Sequence, residues 1–134
     1  YNRAIDIDLK NFGDNHPNVA SKYNNLGSAY CGLGEYEKAI EFYNRAIDID
    51  LKNFGDNHPN MASYYNNLGS VYRGLGQYEK AFELIQHALD IDLKNFGENH
   101  PNVAIRYDNL GETYRSFGEN EKAIEFFSVR LILT

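Results

Sequence analysis

An all-α solenoid built from antiparallel helix pairs is the fold class that the sequence predicts, and three observations lead to it. The first is self-similarity. Shifted by 42, residues 1–42 match 43–84 at 35 positions, and 85–126 match 43–84 at 25 of 42. A fixed period of this size is the mark of a repeat array, in which each supersecondary unit buries its apolar face against its neighbours. The second is punctuation by glycine and proline at the same point of every period. The third is apolar spacing in steps of three and four, the period of a helix.

Taken in order, the elements follow from those signals. Gly13, Gly55 and Gly97 each follow a Lys-Asn-Phe run, where a left-handed residue just past a helix end suits glycine. Four residues on, Pro17, Pro59 and Pro101 fit the first turn of a new helix. That leading helix, helix A, is predicted to reach about Leu33, Leu75 and Phe117, before Gly34, Gly76 and Gly118. The trailing helix, helix B, is predicted over 36–54, 78–96 and from Asn120 towards the C-terminus. Val19, Tyr23, Leu26 and Tyr30 form the apolar stripe of the first helix A; Tyr36, Ala39, Ile40, Tyr43, Ala46 and Ile47 form that of its partner. Gly27/Ala39, Gly69/Ala81 and Gly111/Ala123 are small residues on these faces, which lets two backbones approach closely.

The domain expectation is one array over 1–134. It comprises an orphan helix B and loop at 1–16, then units 17–58, 59–100 and 101–134, the last with an atypical end. Seven helices are expected in all. Arg130 takes the place of Ala4, Ala46 and Ala88, and a guanidinium does not fit a slot made for a small residue. The last helix is therefore expected to leave the regular packing near residue 128. The chain opens on Tyr1 rather than Met, as a start within a longer protein would.

Composition narrows the function. The chain is 43% apolar and 24% charged, the balance of a folded protein rather than a disordered one. Lys plus Arg number 13 against 19 Asp plus Glu, a net charge of −6, which argues against nucleic acid or an anionic membrane as main partner. Cys31 is the single cysteine, so an internal disulfide is excluded and a reducing, cytoplasmic setting is expected.

Candidate chemistries fail one by one. His16, His58 and His100 recur once per unit. Stacked repeats put such residues about 10 Å apart, whereas a metal needs its ligands about 2 Å from one point; positioning helix A is the better role. Cys31 is replaced by Arg73 and Arg115 in the other units, a pattern of surface rather than of a buried nucleophile. Asp48/Asp50 and Asp90/Asp92 stand two apart and so face different sides of a helix. The sequence predicts no enzyme, no metal and no cofactor.

Tyr23-Asn24-Asn25-Leu26-Gly27-Ser28-Ala29-Tyr30, then Gly34-Glu35-Tyr36-Glu37-Lys38-Ala39, then Tyr43 and Ala46, resemble the tetratricopeptide repeat signature. The junction Gly55-Asp56-Asn57-His58-Pro59-Asn60-Met61-Ala62, with its copies, resembles the 42-residue kinesin light chain subclass. The resemblance implies a right-handed solenoid whose helices A line a concave groove for a protein or peptide ligand. Mapped by the motif, the groove stripe is Ser21, Asn24, Asn25, Ser28, Cys31 and Gly32 in the first unit. In the second it is Ser63, Asn66, Asn67, Ser70, Arg73 and Gly74, and in the third Ile105, Asp108, Asn109, Glu112, Arg115 and Ser116. Steps of three and four independently place each set on one helix face.

Asn25, Asn67 and Asn109 occur in all three units. An amide both donates and accepts, so a row of them suits the main chain of an extended peptide, with Arg73, Asp108, Glu112 and Arg115 selecting its side chains. The expected peptide-binding set is therefore Asn24, Asn25, Ser28, Asn66, Asn67, Ser70, Arg73, Asp108, Asn109, Glu112 and Arg115. The alternative is a structural spacer or self-assembling array with no groove ligand. Uncapped ends at Ile5, Ile7, Leu9 and 127–133 are expected to promote self-association.

Overall fold

The second and third helices A start at a proline because the preceding histidine caps them. His58 and His100 sit in extended backbone, and their Nδ1 atoms accept from the amides of Asn60 and Asn102 at 3.2 and 3.1 Å. This satisfies one of the amides left open at a helix start, and the proline at the first position has none to lose. The cap role expected for these histidines is what the geometry shows.

In the computed structural model, residues 17–133 are described. They form six helices: α1 (Pro17–Gly32), α2 (Tyr36–Phe54), α3 (Pro59–Gly74), α4 (Tyr78–Phe96), α5 (Pro101–Ser116) and α6 (Asn120–Leu133). The odd-numbered ones are helices A and the even-numbered ones helices B. No strand occurs among the described residues. The orphan helix predicted at 1–16, with Ile5, Ile7, Leu9 and His16, lies outside them.

Two kinds of glycine end the helices. After α1, Gly34 N–H bonds to the Cys31 carbonyl and Glu35 N–H reaches the Tyr30 carbonyl at 2.9 Å. The pattern repeats after α3 and α5 and is the Schellman closure, which needs positive φ; Gly34 and Gly76 have φ 78° and Gly118 has 91°. Gly55 and Gly97 differ from expectation. Their φ values of 85° and 80° are positive, but ψ is 171° and 173°, extended rather than left-handed helical. That region belongs almost entirely to glycine, and it throws the chain away from helix B into the histidine cap.

Within a pair, the helix A glycine receives a side chain of helix B. A Cβ at Gly27 would stand 2.8 Å from the Tyr43 ring, at Gly69 2.8 Å from Ile85, and at Gly111 2.8 Å from the Phe127 ring. Between pairs, α2 packs on α3 and α4 on α5. Helices α1, α3 and α5 also touch in succession, whereas α2, α4 and α6 do not touch one another. Stacking that is closer on one side curves the array, so helices A line the concave face.

The core falls into two clusters, one across the first two units with Val19, Met61, Val71 and Ile91, the other between α4 and α5 with Ile85 and Val103; all six are fully buried or nearly so. Ala46 and Ala88 are buried, as a small-residue slot requires. Helix α6 does not break at the atypical tail but continues to Leu133. Ala123 is buried in it, while Leu131 and Ile132 are exposed.

Candidate functional site

The concave face carries the predicted stripe, and its amides turn out to be tied to one another. Asn67 Nδ2 on α3 donates to Asn24 Oδ1 on α1 at 3.2 Å. Asn109 Nδ2 on α5 donates to Asn66 Oδ1 on α3 at 2.8 Å. Both pairs span 43 residues, one repeat plus one, because the touching helices A bring Asn67 and Asn109 beside the residue that lies one repeat and one position earlier. The sequence suggested a row of amides turned wholly to a ligand. Instead, each step of the row spends one N–H and one carbonyl on joining two units.

The remaining stripe residues divide by environment. Asn25 and Ser28 are exposed, Asn24, Asn67, Asn109, Ser70, Asp108 and Glu112 are half-buried, and Asn66 is buried. Ser28 Oγ lies 2.9 Å from the Tyr43 hydroxyl, and Ser70 Oγ donates to the Asn66 carbonyl of its own helix. Arg73 crosses to α5, where its Nη1 lies 3.4 Å from the Asn109 carbonyl and 3.5 Å from Thr113 Oγ1. That guanidinium, expected to read ligand side chains, thus leans on the next unit. Arg115 is exposed and pairs with Glu112 one turn earlier. Ile105 stands exposed on the same face.

At one end of this face, α1 and α3 enclose a recess of about 230 Å³ lined by Ser21, Asn24, Asn25, Asn60, Ser63 and Tyr64. Every lining side chain is neutral and hydrogen-bonding. Asn60 and Tyr64 were outside the predicted stripe.

Beneath the recess, and again one unit further on, lies a device missed by the sequence reading. Tyr64 donates to Asp50 Oδ2 at 2.7 Å, and Arg106 Nε donates to Asp92 Oδ2 at 2.8 Å. Both aspartates are buried, and Oδ1 of each has no hydrogen-bond partner. Burial first, and then the bond to the Asp50 carboxylate, push the Tyr64 hydroxyl well above the usual tyrosine range. The signal was available. Asp50 and Asp92 are followed 14 residues later by Tyr64 and Arg106, two very different side chains that share a terminal donor. Asp48 is exposed and Asp50 is buried, on different sides of the helix as their spacing predicts, but the buried partner of Asp50 was not sought.

Burial raises the Cys31 thiol above its ordinary value, away from the thiolate. Among the described residues, no three His, Cys, Asp or Glu side chains gather as a metal would require. No helix there is long and apolar enough to cross a membrane.

The family model for the tetratricopeptide repeat matches residues 1–52, 18–94 and 60–130. The chain belongs to the tetratricopeptide repeat family. Among solved structures, BtubC (BKLC) from P. vanneervenii is similar with TM-score 0.86 and 27% identity, over 99% of this chain and 53% of that one. The putative kinesin light chain of P. anserina with nearly identical repeats gives TM-score 0.77 and 23% identity, over 96% and 61% of the two chains. The tetratricopeptide repeat domain of Arabidopsis FLU gives 0.72 and 18%, over 84% and 92%. The chain thus spans about half the length of BtubC. No match is found among curated protein sequences. Kinesin light chain-like tetratricopeptide repeats are therefore among its structural neighbours.

Proposed function

We propose that the chain is a non-enzymatic interaction module that holds an extended peptide or protein segment along the concave face of α1, α3 and α5. Tetratricopeptide repeat proteins are in general protein-interaction scaffolds, and this reading gives that role a place and a chemistry. The observation that carries it is the neutral polar recess of Ser21, Asn24, Asn25, Asn60, Ser63 and Tyr64, continued along the groove by the amide row. Amides fixed by their neighbours lose little side-chain freedom when a ligand arrives, which lowers the entropic cost of binding. Groups left over on Asn24, Asn25, Asn60 and Ser63 can pair with a peptide main chain. Beyond them, Asp108 and the Glu112–Arg115 pair set charge preferences at the far end.

The test is a peptide-array screen on the 134-residue chain, followed by calorimetric titration of the hits against Asn25→Ala and Arg115→Ala. Binding weakened by both substitutions supports the groove. Binding indifferent to both removes it.

A second reading, a spacer or self-stacking array, also draws on a specific observation. The Asn67–Asn24 and Asn109–Asn66 bonds stitch units together without any ligand, and Leu131 and Ile132 present exposed apolar surface. Light scattering over a concentration series distinguishes it, since stacking through that surface raises the mass with concentration.

A further inference from the structure

We propose, resting on the groove reading above, that the recess between α1 and α3 seats a positively charged side chain of the bound segment, arginine or lysine. Selection comes from the buried carboxylate of Asp50 beneath it. Every side chain on the recess wall is neutral: Ser21, Asn24, Asn25, Asn60, Ser63 and Tyr64. The charge lies one residue behind that wall. Tyr64 donates to Asp50 Oδ2 at 2.7 Å, Asp50 is 1% exposed, and its Oδ1 has no hydrogen-bond partner. Among the described residues, no lysine, arginine or histidine pairs with it. A buried carboxylate held by a neutral hydroxyl keeps its field, and salt and water screen that field little.

The hydrogen bonds point the same way. Tyr64 has one hydroxyl hydrogen and spends it on Asp50. In its bond with the Ser21 hydroxyl the serine must therefore donate and the phenol oxygen accept. The Ser21 oxygen is then left as an acceptor for a group entering the recess. Bonds aligned head to tail polarise one another, so the acceptor character of the carboxylate is carried to the wall. A guanidinium or an ammonium brings only donors and a positive charge, the complement of this place. A carboxylate brings the wrong charge and no hydrogen. One unit further on the balance differs. Arg106 stands in the slot of Tyr64, its Nε 2.8 Å from Asp92 Oδ2, so that aspartate is already neutralised. Ile105 stands there in the slot of Ser63. The two places are thus unequal, and the groove gains a direction: a basic residue of the segment belongs over α1 and α3.

The experiment follows the side-chain amide resonances of Asn24, Asn25 and Asn60 as the 134-residue chain is titrated with three small compounds. They are N-acetyl-arginine amide, its uncharged isostere N-acetyl-citrulline amide, and the α-amide of N-acetyl-glutamate. The arginine compound should bind about tenfold tighter than the citrulline compound, the order expected of one partly buried charge. The glutamate compound should bind most weakly. Two variants then remove the charge. Asp50→Asn keeps an acceptor for Tyr64, and Tyr64→Arg recreates at Asp50 the ion pair that the next unit holds at Asp92. The second keeps the test standing should the first fold poorly. In either folded variant the arginine and citrulline compounds should bind equally. Lys22, His58 and Arg73 are common to all three proteins, so their fields cancel in the comparison. Equal binding of arginine and citrulline to the wild type would overturn the proposal. So would a preference that survives in a folded variant, or amides that no compound moves. The groove itself is judged apart, by array-selected peptides against Asn25→Ala. Peptides weakened by that substitution but indifferent to arginine or citrulline keep the groove and remove this subsite.

Discussion

Asp50 shows how much rests on single atoms in this array. Its Oδ2 takes the Tyr64 hydroxyl and its Oδ1 has no partner, so the carboxylate keeps one protein bond in the core. Tyr64→Phe removes that bond and strands the group, at a cost of about 2–3 kcal/mol. Arg106→Met does the same to Asp92 by deleting an ionic partner, and should cost roughly 3–5 kcal/mol. Urea unfolding measures both. Pairing Tyr64→Phe with Asp50→Leu should restore most of the loss, because the penalty lies in the orphaned carboxylate rather than in missing attraction. A double variant as unstable as the single one would refute that account. The Tyr64 hydroxyl also bears on alkaline stability. Its ordinary value is near 10 and the folded value is higher. The folded chain therefore holds this proton more tightly than the unfolded chain. Its contribution is complete below about pH 10 and is lost above it, so the melting temperature should fall beyond that point, less steeply in Tyr64→Phe.

At the scale of elements, helix boundaries were legible because punctuation and periodicity agree. The predicted limits of α2 and α4 match the structure, and those of α1, α3 and α5 differ by one residue. That residue is Leu33, Leu75 or Phe117, the half-helical position that the Schellman closure needs before its glycine. The sequence assigned Gly69 to a close approach of two helices, and the structure gives that approach its distances. Gly69→Ala places a methyl 2.8 Å from Ile85 and 3.2 Å from the Ala81 carbonyl, and backbone cannot move aside. Overpacking should outweigh the helix-propensity gain and leave a net loss of about 1–2 kcal/mol. Gly32→Ala meets nothing within 4 Å and should be neutral or stabilising by up to about 0.5–1 kcal/mol. Thermal melts of the two variants read the contrast directly. Equal effects would mean that the α3–α4 approach is looser than it stands.

Across the whole molecule, the stripe along helices A was legible from three- and four-residue steps, and its internal bonding was not. Asn67 and Asn24 are 43 apart, a separation that means nothing until α1 and α3 are known to touch. The same closeness brought the Arg73 guanidinium to Thr113 on the next unit. It also changes what Asn67→Ala should do. The sequence suggested an effect on binding alone, whereas the Asn24 bond adds a stability cost of about 0.5–1.5 kcal/mol. A double-mutant cycle with Asn24→Ala should show coupling of similar size, and additive losses would argue that the row does not join the units.

The central claim, that the concave face holds an extended segment, is tested most directly by calorimetric titration of one array-selected peptide against two variants. Asn25→Ala changes the exposed amide of the groove recess, and Gln86→Ala changes the outer face of α4, where Gln86 is also exposed. The groove account predicts roughly five- to hundredfold weaker binding for Asn25→Ala, a loss of about 1–3 kcal/mol, and unchanged binding for Gln86→Ala. Unchanged binding for Asn25→Ala together with weakened binding for Gln86→Ala would contradict it.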